Sequence, residues 1–105
     1  MENKIYLNNL LDFYGCLLTD KQQRISSYYY RDDLSLQEIA ELEGISRAAV
    51  YDTVKRIRSE LEEYEGKLHL YVSWQKRLGL YEKIRKLSDA EVGKLIDQCI
   101  DSEID

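Results

Sequence analysis

The residue types that carry chemistry are sparse in this sequence. His69 is the only histidine, so one chain cannot assemble a His-based metal cluster or a Ser-His-Asp arrangement. Cys16 and Cys99 are far apart and form no CxxC pair, so reduced thiols packed as small apolar groups are expected. Paired acids such as Glu62 and Glu63 fall on adjacent helix positions and do not face each other. The glycines are isolated, and none builds a phosphate loop. Enzyme chemistry, a metal and a cofactor are therefore not expected. Basic and aromatic side chains remain, and they serve recognition. One set is Ser46, Arg47, Ala48, Tyr51, Lys55 and Arg56; a second is Lys76, Arg77, Lys83, Arg85 and Lys86.

The elements that position the first set are legible from spacing. The segment from Leu36 to Arg56 reads as two helices joined by a tight turn. Ser35 and Glu38 form a capping box ahead of Leu36, Ile39 and Ala40. Ala40 is small where two helices cross closely, and Gly44 tolerates the left-handed conformation of a helix end. Ile45 plugs the corner, Ser46 caps the second helix, and Val50 and Val54 pack it back on the first. This is the grammar of a helix-turn-helix. In a DNA-binding example the first residues of the second helix enter the major groove. Arg47 would then reach guanine, Ala48 a thymine methyl, and Lys55 or Arg56 a phosphate. Asp52 and the run Glu60, Glu62, Glu63 and Glu65 oppose that reading, and a plain solvated helix face is its competitor.

Upstream, Leu7, Leu10, Leu11, Tyr14, Leu17 and Leu18 follow helical spacing. Thr19 with Gln22 caps a second helix that carries Ile25, Tyr28 and Tyr29 inward. The run Tyr28–Tyr30 either finishes a core or offers stacking surfaces to RNA. Downstream, Val50, Val54, Ile57, Leu61, Tyr64, Leu68 and Tyr71 alternate steps of four and three, which is a heptad seam. Gly66 lies within it and marks a possible bend. Leu80, Ile84 and Leu87 share one face of the next helix. Ser88 with Glu91 reads as a capping box for a last helix bearing Val92, Leu95, Ile96, Cys99 and Ile100, with Asp101–Asp105 frayed.

The chain has 105 residues and a net charge of -5. Proline is absent, which favours helix. Lys67–Lys86 is strongly basic while Leu36–Gly66 and Leu87–Asp105 are acidic. A dedicated non-specific nucleic-acid binder would be basic overall, so the charge weighs against DNA. Met1–Leu18 does not read as a signal peptide, and no apolar run approaches a membrane span. A cytoplasmic protein is expected.

The stretches Leu17–Gln22, Leu34–Glu41, Gly44–Asp52 and Leu61–Leu68 resemble the bacterial YlxM family, and the likeness extends to about Tyr71. That resemblance implies a fold like the DNA-binding region 4 of sigma factors. It also implies a place in, or regulation of, the signal recognition particle pathway, beside whose GTPases such proteins are typically encoded. The expected partners are DNA or, alternatively, a protein or RNA of that particle.

The expected architecture is all-α. Residues 1–72 form a sigma region 4-like helix-turn-helix bundle, winged-helix-like but without a wing, that includes the long fourth helix. Residues 73–105 form a C-terminal helical extension, packed on the bundle or on a partner chain. The basic Lys76–Lys86 set is either a partner-binding surface or an internal packing surface. Because Val50 to Ile57 must pack on the bundle, Leu61, Tyr64, Leu68 and Tyr71 are the candidate homodimer face. Burial of that face by the C-terminal helices is the alternative.

Overall fold

The computed structural model describes residues 3–104, with side chains through Glu103. The described residues are helical, without strands, and divide into two compact units after Tyr71.

The first unit starts with α1 (Lys4–Tyr14) and a short 3-10 turn (Gly15–Leu17). Leu7, Leu10, Leu11 and Tyr14 recur at helical spacing, so one stripe of α1 is buried. The tighter turn after Tyr14 swings Leu17 out to solvent and tucks Leu18 in, so the expected inward Leu17 is corrected. Thr19 opens α2 (Asp20–Ser26) with the capping box read from sequence: its hydroxyl accepts from the Gln22 N–H, and the Gln22 side chain accepts from the Thr19 N–H.

The end of α2 departs from the expected spacing. Ser27–Arg31 form a π-turn, in which the Asp32 N–H reaches back five residues to the Ser27 carbonyl at 3.0 Å. Each turn gains a residue, so the inward position moves from Tyr29 to Tyr30. Tyr30 is buried and Tyr29 only partly so. α1 meets the carbonyls of this turn. The Asn8 amide donates to the Tyr30 carbonyl at 2.8 Å, and the Lys4 ammonium lies over the Tyr29 ring, 4.3 Å from its centroid. Arg31 then reaches Asp12 at 2.7 Å.

α3 (Leu36–Glu43) and α4 (Arg47–Leu68) complete the unit. Arg24 of α2 grips Glu43 of α3 with two hydrogen bonds, of 3.2 and 3.0 Å. That grip holds the Glu43 carboxyl below the usual carboxylate range. α4 runs straight through Gly66 and stops instead at His69, whose φ of 55° is left-handed and whose N–H closes on the Glu65 carbonyl. The possible bend at Gly66 is therefore corrected to a helix end three residues later.

Beside that end sits a buried polar node. The Tyr14 hydroxyl donates to Glu65 Oε1 at 2.6 Å. The same oxygen accepts from the Tyr71 N–H at 3.0 Å, and the Tyr14 oxygen accepts from the Leu70 N–H at 3.1 Å. Leu70 and Tyr71 are the first residues of α5 (Leu70–Lys86), so the node satisfies donors that a helix start leaves without partners. Burial, followed by the hydrogen bond to Glu65, pushes the Tyr14 hydroxyl up to about 12.

The node and its surroundings settle the heptad seam. Leu61 is 0% exposed, inside the same core as Leu7 and Leu10 of α1. The Tyr64 ring lies 5.9 Å from that of Tyr14, and Tyr71 meets Tyr6 edge-on at 5.6 Å. Of the four residues expected to face another chain, Leu61 has no surface to offer, and Tyr64 and Tyr71 pack against the unit's own core. Only Leu68 stands exposed. The helix that covers the seam is α1.

The second unit contains the rest of α5 and α6 (Ala90–Ile104). Arg85 binds Asp97 at 2.6 Å, and both Arg77 and the Tyr81 hydroxyl engage Glu103. The cap of α6 is Asp89, whose Oδ1 accepts from the Val92 N–H at 3.0 Å. Ser88, expected in that role, turns back onto the Ile84 carbonyl. Helix continues to Ile104 through residues expected to fray, and Asp105, the last of them, lies outside the described residues. Cys16 and Cys99 are both free and exposed, which corrects their expected packing.

Removal of the Tyr14 hydroxyl isolates the node. Tyr14→Phe should cost about 1–3 kcal/mol at neutral pH, because buried partners lose a hydrogen bond. The gap between wild type and variant should then narrow above pH 10. The unfolded tyrosine ionises near 10, whereas the folded one keeps its proton to about 12, so the unfolded state gains between those values. Urea titrations of both proteins from pH 7 to 11 check this; a pH-independent gap contradicts it.

Candidate nucleic-acid interface

α3, the turn and α4 place the first set of candidate residues. Ile39 and Ala40 of α3 and Val50 and Val54 of α4 are buried against one another in the core. Gly44 ends α3 at φ 66°, with its N–H on the Ala40 carbonyl. Ile45 is partly buried at the corner and packs against the core. The Ser46 hydroxyl accepts from the Ala49 N–H at 3.0 Å and so starts α4. Ser46 is thus a positioning residue: its side-chain oxygen is engaged by the helix it caps.

With one stripe of α4 buried, the opposite stripe must face outward. Arg47, Ala48, Tyr51, Asp52, Lys55 and Arg56 are all exposed, Tyr51 at 54%. They occupy the first three turns of α4, about 15 Å of helix. The described ion pairs take up none of Arg47, Lys55 and Arg56.

The acidic run beyond them is mostly engaged elsewhere. Glu65 is in the buried node. Glu60 accepts from the Gln22 amide at 3.1 Å. Glu63 pairs with Lys67 one turn on, at 3.0 Å. Asp52 alone places an acid among the candidate contacts.

Two residues join the site that spacing did not nominate. Tyr29 and Arg58 line a shallow cavity with Leu36, Tyr51, Val54 and Lys55, about 220 Å³ in volume. Arg58 follows Lys55 by three and Tyr51 by seven, so helical spacing carried its signal. Tyr29 is brought there only by the π-turn, which the sequence does not announce. The second set is divided: Arg77 and Arg85 bind acids of α6, while Lys76, Lys83 and Lys86 are exposed. His69 is an exposed helix end.

A glycine turn at φ 66°, a serine-capped second helix and a small residue at the crossing define a helix-turn-helix protein. The comparisons agree. Residues 1–99 match the family model described as "Putative helix-turn-helix protein, YlxM / p13 like", and the chain belongs to that family. It is 48% identical over 99 residues to a UPF0122 protein of Bacillus licheniformis, covering 92% of each chain. It is 50% identical over 91 residues to a UPF0122 protein of Bacillus thuringiensis, covering 87% of this chain and 83% of that one. A UPF0122 protein of Halalkalibacterium halodurans is 44% identical over 91 residues, covering 87% and 84%. Among the described residues no helix is long and apolar enough to cross a membrane.

The turn tests the geometry directly. A Cβ at Gly44 would meet open space, so substitution there probes backbone strain alone. Gly44→Ala should cost about 1–2 kcal/mol for a left-handed L-residue. Gly44→Asn should cost less, because asparagine tolerates that conformation. Ser46→Ala should cost about 1 kcal/mol through the lost cap. Urea unfolding measures all three, and alanine proving no worse than asparagine at position 44 would contradict the turn assignment.

Proposed function

We propose that this protein is a cytoplasmic, non-catalytic regulator that binds DNA through the first three turns of α4. The observation that carries the reading is one exposed stripe bearing Arg47, Ala48, Tyr51, Lys55 and Arg56, with its three cations outside the described ion pairs. An Arg near the start of such a helix suits a bidentate contact to guanine, and Lys55 and Arg56 suit phosphates. The family resemblance adds a setting: the regulation concerns the signal recognition particle pathway of protein targeting.

A second reading rests on Lys76, Lys83 and Lys86, which stand exposed on α5. On that reading the protein is an accessory of the particle and meets its RNA or an acidic protein surface without binding DNA.

Selection from a genomic fragment library, followed by anisotropy titrations across salt, separates them. Under the first reading Arg47→Ala costs about 1–3 kcal/mol and relaxes preference at one base pair. Lys55→Ala or Arg56→Ala weakens binding uniformly and reduces the salt slope by about 1. No enriched sequence, or binding indifferent to salt, overturns it. Binding of the particle's RNA that survives Arg47→Ala and is lost on reversing Lys76, Lys83 and Lys86 establishes the second reading.

A further inference from the structure

The two units differ in how completely they close. The first buries a contiguous core drawn from α1, α2, α3 and α4. In the second, Ile96 is the one buried apolar side chain among the described residues, at 5% exposure. Leu80 is 56% exposed, Ile84 45%, Leu87 88% and Leu95 56%. Trp74, Leu78, Tyr81, Val92 and Ile100 are only partly buried, so the hairpin closes little core of its own, and its partly exposed ion pairs add little.

Those exposed side chains are ordered. Leu80, Ile84 and Leu87 step by four and three along α5; Leu95, Cys99 and Ser102 do so along α6. Arg85 and Asp97 mark one side of the hairpin, because they bridge α5 to α6 there. At 100° per residue, Leu80 and Ile84 lie on the other side of α5, away from Arg85. Leu95 and Cys99 lie on the matching side of α6, away from Asp97. The two seams therefore form one open apolar face.

The edges of that face carry opposite charges. Lys76 and Lys83 border it on α5, and Glu91 borders it on α6; all three are exposed and outside the described ion pairs. Lys83 and Glu91 also stand at nearly equal distances from the hairpin turn. If two such hairpins meet face to face about a two-fold axis along the helices, α5 of each lies over α6 of the other. Lys83 of each chain then comes beside Glu91 of its partner, and the seams interdigitate as in a four-helix bundle.

We propose that the α5–α6 hairpin is a self-association module, and that its apolar face is covered by the same face of a second copy. Such a dimer supplies what a lone helix-turn-helix lacks. Two weak half-site contacts held together multiply their affinity without a new contact in either. This use of the dimer rests on the DNA-binding reading; the dimer itself does not.

Light scattering on the full chain at tens of micromolar tests it. The expected mass is twice the 12.4 kDa of the monomer. Leu80→Glu with Ile84→Glu should return it to monomer, with the cooperative unfolding of the first unit retained. Lys83→Glu and Glu91→Lys should each raise the dimer dissociation constant several-fold, and the double variant should restore it. A wild-type monomer at these concentrations overturns the proposal. So does a dimer that is indifferent to Leu80 and Ile84, or a charge-swapped double variant with no recovery. A monomer that still selects DNA removes this inference and leaves the DNA-binding reading standing; a dimer that selects no DNA does the reverse.

Discussion

A carboxyl group inside an apolar core is costly unless hydrogen bonds replace its water, and the first unit is organised around one that is so compensated. Glu65 lies on the same stripe of α4 as Val50, Val54, Ile57 and Leu61, all buried. Its Oε1 accepts from Tyr14 at the end of α1 and from Tyr71 at the start of α5. Three helix ends are thereby tied at one point. The consequence reaches the other end of α4, where Arg47 lies 18 residues back, about 27 Å along the helix. A rod pinned by Glu65 at one end and by the Gly44 corner at the other cannot rotate about its axis. The stripe with Arg47, Tyr51 and Lys55 is outward because the stripe with Glu65 is inward.

The same economy of partners explains how an acidic chain presents a basic face. Several acids of the first unit are engaged within it. Arg24 holds Glu43, Lys4 holds Asp33, Arg31 holds Asp12, and Glu38 closes the cap of α3. The cations at the start of α4 have no such assignment. Net charge sets the long-range field, which salt screens within about 8–10 Å. Contact recognition is decided inside that distance, by which cations lack an internal acid. The net charge of -5 thus bears on how fast an anionic partner arrives more than on what it meets at α4.

The turn and its caps were readable because their constraints are local. Gly44, Ser46, Ser35 with Glu38 and Thr19 with Gln22 act over three or four residues, and each stands where spacing put it. What spacing missed depended on contacts made far along the chain. Tyr30 displaces Tyr29 because a π-turn adds a residue, and α1 side chains accept that cost by reaching the carbonyls of Tyr29 and Tyr30. His69 ends α4 because Tyr14 and Glu65 receive the next two N–H groups, a pairing across 51 positions for the side chains involved. Asp89 displaces Ser88 by one position, a choice between two good caps that residue type alone does not make.

A four-three repeat states that a helix needs a neighbour along one stripe; it does not state whose chain the neighbour belongs to. The two repeats of this protein show the difference. Along α4 the seam is long and unbroken, and its length suggested a second chain. Yet α1 carries a complementary stripe of Leu7, Leu10, Leu11 and Tyr14, and burial of Leu61 is complete without any partner. Along α5 the seam is only three residues long, and Gly79 and the flanking lysines make it inconspicuous. There the side chains keep about half or more of their surface in water. Burial, and not the length of the repeat, is what separates a seam already filled from one left open to solvent.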